Sequence, residues 1–296
     1  MKFRLEEPEF FYNNHSFKMF RKIYLYKKQN VMENYLDINR KSWNAKVEPH
    51  LKSDFYFVDE FLNGRTSLNS IELELLGDIK GKTILHLQCH FGQDSISLSR
   101  MGAKVTGIDL SDKAIEAAKD LAKQCNTDTE FTCSDVYELP NILDQKFDIV
   151  FTSYGTIGWL PDLEKWSNVI NHFLKPGGKF IMAEFHPVVW MFDDDFKDVA
   201  YNYFNEKPII ETYEGTYADF SAEIIQDYVM WNHSLSEVMQ NLIGKDLVIE
   251  QFQEFDWSPY PCFKHIEEFE KGKWRTTKFG NKIPMVYAIT AQKKSS

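Results

Sequence analysis

The chain has 296 residues, a net charge of −10 and 15% aromatic residues. That length buries one large α/β core with material left for a lid or small second lobe, and the acidic balance argues against DNA or bulk RNA as a partner. No apolar run approaches the roughly 20 residues that cross a bilayer, and Cys89, Cys125, Cys133 and Cys262 show neither disulfide-like nor zinc-ligand spacing, which fits a cytoplasmic protein.

Residues 1–31 open with Glu6, Glu7 and Glu9 and continue with a basic aromatic run, Lys18 to Lys28. A signal peptide puts its charge first and an apolar core second, and a transit peptide avoids acids. Neither pattern fits, so this segment reads as a peripheral arm, with Met32 as an alternative start. Residues 32–76 read as an N-terminal helical cap. Asn34 to Leu62 is helical and then extended, with Trp43, Tyr56 and Phe57 as aromatic anchors, and Ile71–Leu76 is a second short helix.

From residue 77 to 296 the pattern is that of one α/β domain. Thr83 to Leu87 is a short, mostly apolar run, as expected of a parallel strand buried on both faces. A loop over Gln88–Gly92 follows, then a helix with Ile96, Leu98 and Met101 on its apolar side, ended by Gly102. Val105 to Ile108 is a second strand stopping at Asp109, and Ser111 caps a helix with Ala114, Ile115, Ala118, Leu121 and Ala122 at three-to-four spacing. A third strand, Glu130–Ser134, ends at Asp135, and Phe147–Ser153 is a fourth. A helix starts near Asp162. LKPGGKF then reads as a helix stop, a turn and the start of a fifth strand, Lys179–Glu184. The strand–helix–strand unit implies a right-handed crossover and a parallel sheet, and such sheets bind ligands at the carboxyl ends of their strands.

Regular alternation stops after His186-Pro187. An insertion, residues 188–233, is read as a lid over the sheet edge. From Glu184 to Asp227 the chain carries eleven acids against Lys197 and Lys207, together with Trp190, Tyr201, Tyr213 and Tyr217 among its aromatics. Aromatics with acids suit a cationic or neutral aromatic small molecule; a packed lid with a solvated acidic face is the plainer reading. Ser234 and Glu237 have capping-box spacing, so a helix runs from Leu235 to about Ile243. Leu247–Trp257 and Pro284–Ala291 are the sixth and seventh strands. Asp193, Asp194 and Asp195 read as a solvated turn and Cys262 as a packed thiol, so no metal is expected.

These residues resemble the class I S-adenosylmethionine-dependent methyltransferases, a family with a doubly wound, seven-stranded sheet whose final strand is antiparallel. Four markers stand in order: the loop after strand one, Asp109, Asp135 and LKPGG. The wording LHLQCHFGQDSISLSRMGAKVTGIDLS is similar to a bacterial subgroup with an LQCHFG-type first loop. The resemblance implies S-adenosyl-L-methionine as cosubstrate and a small-molecule acceptor. It also implies that Asp109 holds the ribose, that Asp135, Val136 and Leu110 surround the adenine, and that Gly92 and Ser153 line the site.

One departure stands out. The family's acid-x-Gly-x-Gly-x-Gly loop here reads His86, Gln88, His90, Gly92. Glycines serve there because the backbone turns tightly and approaches the ligand. Gln88 and His90 either accept that geometry and hydrogen-bond the ligand, or point away into the sheet edge. His86 reads as a buried strand residue. Tyr154 and His186, at the ends of strands four and five, are the candidate general bases, with His233 more remote. A nicotinamide oxidoreductase would need glycines where Gln88, His90 and Gln93 stand. A protein that binds an adenosyl ligand without transferring methyl is the alternative.

Overall fold

The structure, a computed structural model, describes residues 3–4 and 34–295. The arm at residues 1–31 lies outside the described residues apart from Phe3–Arg4. In chain order the elements are α1 (Tyr35–Lys52), α2 (Val58–Leu62), α3 (Ser70–Leu76), β1 (Thr83–Leu87), α4 (Gln93–Arg100), β2 (Lys104–Asp109), α5 (Asp112–Gln124), β3 (Glu130–Cys133), β4 (Phe147–Ser153), α6 (Leu163–Phe173) and β5 (Leu174–Phe185). There follow β6 (Ile209–Glu214), β7 (Ile225–Met230), α7 (Leu235–Ile243), β8 (Leu247–Phe255), β9 (Ile266–Glu270), β10 (Lys273–Thr276) and β11 (Val286–Lys293).

The central sheet has seven strands in the order β3-β2-β1-β4-β5-β11-β8. β1 pairs in parallel with β2 and β4, whereas β11 runs antiparallel to both of its neighbours. This is the mostly parallel, doubly wound arrangement that the alternation of strands and helices implies. β1 is buried from Ile84 to Leu87, which is why its sequence is apolar without a two-residue period. Helices start where side chains satisfy their first N–H groups: Ser111 Oγ accepts from Ala114 N (3.0 Å), Asp162 Oδ1 from Lys165 N (3.0 Å) and Ser234 Oγ from Glu237 N (3.2 Å). Each satisfies a donor that the helix itself leaves without a partner.

Three expectations from the sequence change. The stretch after α1 is not extended, because a turn leads directly into α2. LKPGG does not precede the fifth strand but belongs to it. Leu174 pairs with Phe147, the register shifts, and pairing resumes at Ile149 with Lys179, so the Pro-Gly-Gly run is a bulge inside β5. The chain between β8 and β11 is also more than a connection, since β9 and β10 form an antiparallel hairpin there.

The segment 188–233 carries the β6–β7 hairpin, to whose β6 edge Phe3–Arg4 adds a short antiparallel pairing. It is tied to α1 by an unusual contact. Asn39 Nδ2 donates to Val229 O (2.8 Å) while Val229 N donates to Asn39 Oδ1 (2.9 Å). A buried helix side chain thus pairs with β7 as a neighbouring strand would.

Gly92 and Gly107 let the first two βα units approach closely. A Cβ on Gly92, whose φ is +82°, would lie 2.5 Å from Phe131 Cζ, and one on Gly107 would lie 2.8 Å from the same ring. Gly92→Ala is therefore expected to lower the unfolding free energy by about 2 kcal/mol or more, through backbone strain and overpacking. Urea denaturation checks this, and adding Phe131→Leu should recover part of the loss.

Candidate active site

The loop after β1 is built in the left-handed region. Gln88 has φ +55° and His90 φ +51°, followed by Gly92 at +82°. The two non-glycine residues thus accept the backbone shape that glycines usually supply, at a cost of about 1–2 kcal/mol each. Their side chains are held to the walls. Gln88 Nε2 donates to Thr156 O (2.8 Å), and His90 Nε2 lies 2.9 Å from His50 Nδ1 in a hydrogen bond. This orientation leaves Gln88 Oε1 and His90 Nδ1 buried without a protein partner.

Asp109 ends β2 beside this loop. Its Oδ2 accepts from the His90 backbone N–H (2.8 Å) and its Oδ1 from that of Ser111 (2.8 Å). Burial pushes the carboxyl up to about 6 despite these donors. Each oxygen retains a second lone pair. At the end of β3, Asp135 Oδ1 accepts from Tyr137 N (3.2 Å), so the residue does shape its turn, and burial raises its pKa. Ser153 Oγ donates to Asp94 Oδ2 (3.0 Å).

These groups share one cavity of about 1020 Å³. Gln88, His90, Gly92, Asp109, Leu110, Asp135, Val136, Ser153 and Tyr154 all line it, so nine of the expected site residues converge. The opposite wall comes from α1, from the 188–233 segment and from the chain after β8, and is rich in aromatic rings. Trp43 stands 5.2 Å from both the His90 and the Trp159 ring centroids. His86 also reaches the cavity, but is buried with Nδ1 on Ser95 Oγ (2.8 Å).

His186 does not reach it. Val188 N donates to its Nδ1 (3.2 Å), which leaves Nε2 as the donor to Glu254 Oε1 (2.9 Å). Both nitrogens are therefore engaged, Nδ1 within its own turn and Nε2 on β8, and burial lowers the ring's pKa. The residue is a structural link and not a base at the site. His233 is likewise buried, with Nε2 on Leu160 O (2.8 Å) and Nδ1 facing Glu237 Oε1 (3.1 Å). Cys262 lies on the cavity wall, where burial pushes its thiol up. Asp194 and Asp195 pair with Lys264 and Lys197. Among the described residues no group of three or more His, Cys, Asp or Glu could hold a metal ion, and no helix is long and apolar enough to cross a membrane.

Several residues of the site escape the sequence reading. Leu36, Asn39, Trp43, Lys46 and His50 follow one another at three-to-four spacing on α1. The first four line the cavity, and His50 backs His90. That period was available in the sequence, but a polar, basic and aromatic face does not announce itself as inward. Glu72 on α3 was hidden for another reason, since beside its local cap partner Asn69 it is bonded to Tyr154, far away in the chain. Its Oε1 accepts from the Asn69 backbone N–H (3.0 Å) and its Oε2 from the Tyr154 hydroxyl (2.8 Å). Tyr154 is thereby a donor, and burial pushes its own pKa well up.

Burial raises the Glu72 carboxyl from 4.5 to about 7. Between those values the folded chain holds a proton that the unfolded chain releases, so the Glu72 contribution to stability falls as pH rises. Relative to wild type, Glu72→Gln should therefore gain unfolding free energy from pH 5 to 7.5, by on the order of 2 kcal/mol. Chemical denaturation at the two pH values checks it; parallel behaviour would mean that Glu72 is ionised throughout.

Residues 84–178 match the methyltransferase domain family. The chain is 33% identical over 105 residues to a ubiquinone biosynthesis O-methyltransferase of Coxiella burnetii, a match covering 36% of this chain and 44% of that protein. It thus spans less than half the length of that curated relative. An uncharacterised protein of Haemophilus influenzae is 28% identical over 235 residues, 71% of this chain and 87% of its own length. The solved S-adenosylmethionine-dependent methyltransferase of Mesorhizobium loti superposes with a TM-score of 0.53 over 78% of this chain and 100% of that one, at 22% identity, a likeness of fold. The segment 84–178 thus matches a methyltransferase domain, and the chain shares its fold with a solved S-adenosylmethionine-dependent methyltransferase.

Proposed function

We propose that the chain transfers a methyl group from S-adenosylmethionine to a small-molecule acceptor held under the aromatic wall. The observation that carries this reading is Asp109. Its carboxylate stands at the end of β2 on the cavity, oriented by two backbone N–H groups and with capacity for two further donors. A ribose diol supplies two such donors, as at the corresponding acid of dinucleotide folds. Leu110, Asp135 and Val136 lie beside it for the adenine, with Gly92 and Ser153 completing that wall. Gln88 Oε1 is a buried acceptor without a partner, and an ammonium group such as the donor's would satisfy it. The side chains of Gln88 and His90 turn to Thr156 and His50, and both line the cavity.

Bound there, the donor supplies an activated methyl on a sulfonium. The protein's part is then to orient the partners and to exclude water, which alone can contribute several kcal/mol. The aromatic wall suits both tasks. Where the acceptor arrives protonated, Tyr154 is the group placed to take its proton, passing its own to Glu72 behind it.

Calorimetric titration tests the reading. Wild type should bind S-adenosylmethionine and S-adenosylhomocysteine. Asp109→Asn, which keeps the shape but weakens acceptance, should lose roughly tenfold or more in affinity for both. Failure of the wild-type protein to bind either ligand at millimolar concentration would overturn it.

A further inference from the structure

Lys46 is a cation with no anion. It lies on the inward face of α1, on the cavity wall, only 5% exposed. Its ammonium has one hydrogen-bond partner, Ser42 Oγ at 3.2 Å, and Ser42 Oγ itself faces Gln226 Oε1 at 3.4 Å. Among the described residues no carboxylate lies within ion-pair distance of it. Three rings surround it instead: Trp43 at 4.5 Å, Trp159 at 5.0 Å and Tyr228 at 5.8 Å from ammonium to centroid. The buried carboxylate on the insertion, Glu211, is engaged by the hydroxyls of Tyr201 and Tyr228.

An ammonium has three donors, so two remain without a protein partner on this ring-walled part of the cavity. Burying a charge in this state is costly, and cation–π contact offsets only part of that cost. Burial accordingly lowers the Lys46 pKa to about 7. The histidines beside it, His50 and His90, are also pushed down by burial and so add no positive charge of their own, and a histidine in either form supplies no negative one. A bound carboxylate would satisfy the free donors and restore the ammonium, and the rings around it offer faces and edges for a planar group attached to that carboxylate.

This group comes mostly from chain segments other than the first loop, although Trp43 touches His90 of that loop. Trp43 and Lys46 come from α1 and Tyr228 from β7, all outside the matched segment 84–178. Only Trp159 belongs to it. Gln88, by contrast, offers its unpartnered oxygen from the first loop itself. We infer that Lys46 receives a carboxylate carried by the methyl acceptor, and that the acceptor is a small aromatic acid. This rests on the methyl-transfer reading of the same cavity.

The test uses the full chain and a panel of benzoate, 4-hydroxybenzoate and indole-3-acetate, each against its carboxamide, titrated with and without S-adenosylhomocysteine. At least one acid should bind tenfold tighter than its amide. Lys46→Met and, as a second variant, Lys46→Gln should abolish that preference while keeping the affinity for S-adenosylhomocysteine within about threefold of wild type. The inference is overturned if wild type prefers no acid to its amide, or if the preference survives in both variants. It is also overturned if both variants lose S-adenosylhomocysteine affinity tenfold, which would assign Lys46 to the donor's own carboxylate. A wild-type protein that ignores S-adenosylhomocysteine yet prefers acids would sink the methyl-transfer reading alone, and the titrations without it separate the two failures.

Discussion

The hydrogen bond from the His90 backbone to Asp109, with its companion from Ser111, joins the first two strand-to-helix turns into one rigid unit. The donor from His90 points at the carboxylate only because the chain there has turned into the left-handed region. Cys89 reinforces the unit, its N–H donating to Ile108 O at 2.9 Å. Gly92 then lets α4 start against Phe131 without a clash. The placement of the cavity's polar groups follows from this small piece of backbone.

Holding two side chains in a left-handed loop costs free energy that a glycine-rich loop would not lose. The surroundings offset it locally. Gln88 is tied to the turn after β4, and His90 to α1. Strain of this kind persists where several contacts over-determine a conformation, and it concentrates at functional sites. The replacement of glycine by glutamine and histidine thus extends the loop's reach. It connects the first turn to two other segments that a plain glycine loop could touch only through its backbone.

Much of the central sheet was legible in the sequence, because its strands are short apolar runs and its helices begin at Ser111, Asp162 and Ser234. Asp109 was legible for the same reason, as an acid ending a strand that faces no other acid. His186 was misread because position at a strand end says nothing about the neighbouring strand, and here Glu254 on β8 takes the imidazole. The β9–β10 hairpin was missed because β9 is mostly exposed and β10 only half-buried, so neither shows a clear apolar alternation. Lys46 gave no local sign, and Glu72 showed only its capping spacing to Asn69. Their character comes from burial among residues far away in the chain, and polarity in sequence normally means solvent.

The Asn39–Val229 pairing bears on how anything enters so enclosed a place. Pulling α1 away from β7 would strip an amide side chain and a strand backbone of their bonds at once. Moving both together preserves the pair. α1 and the β6–β7 hairpin are therefore joined as one piece of the cavity wall, and any displacement that keeps the pair carries both elements together.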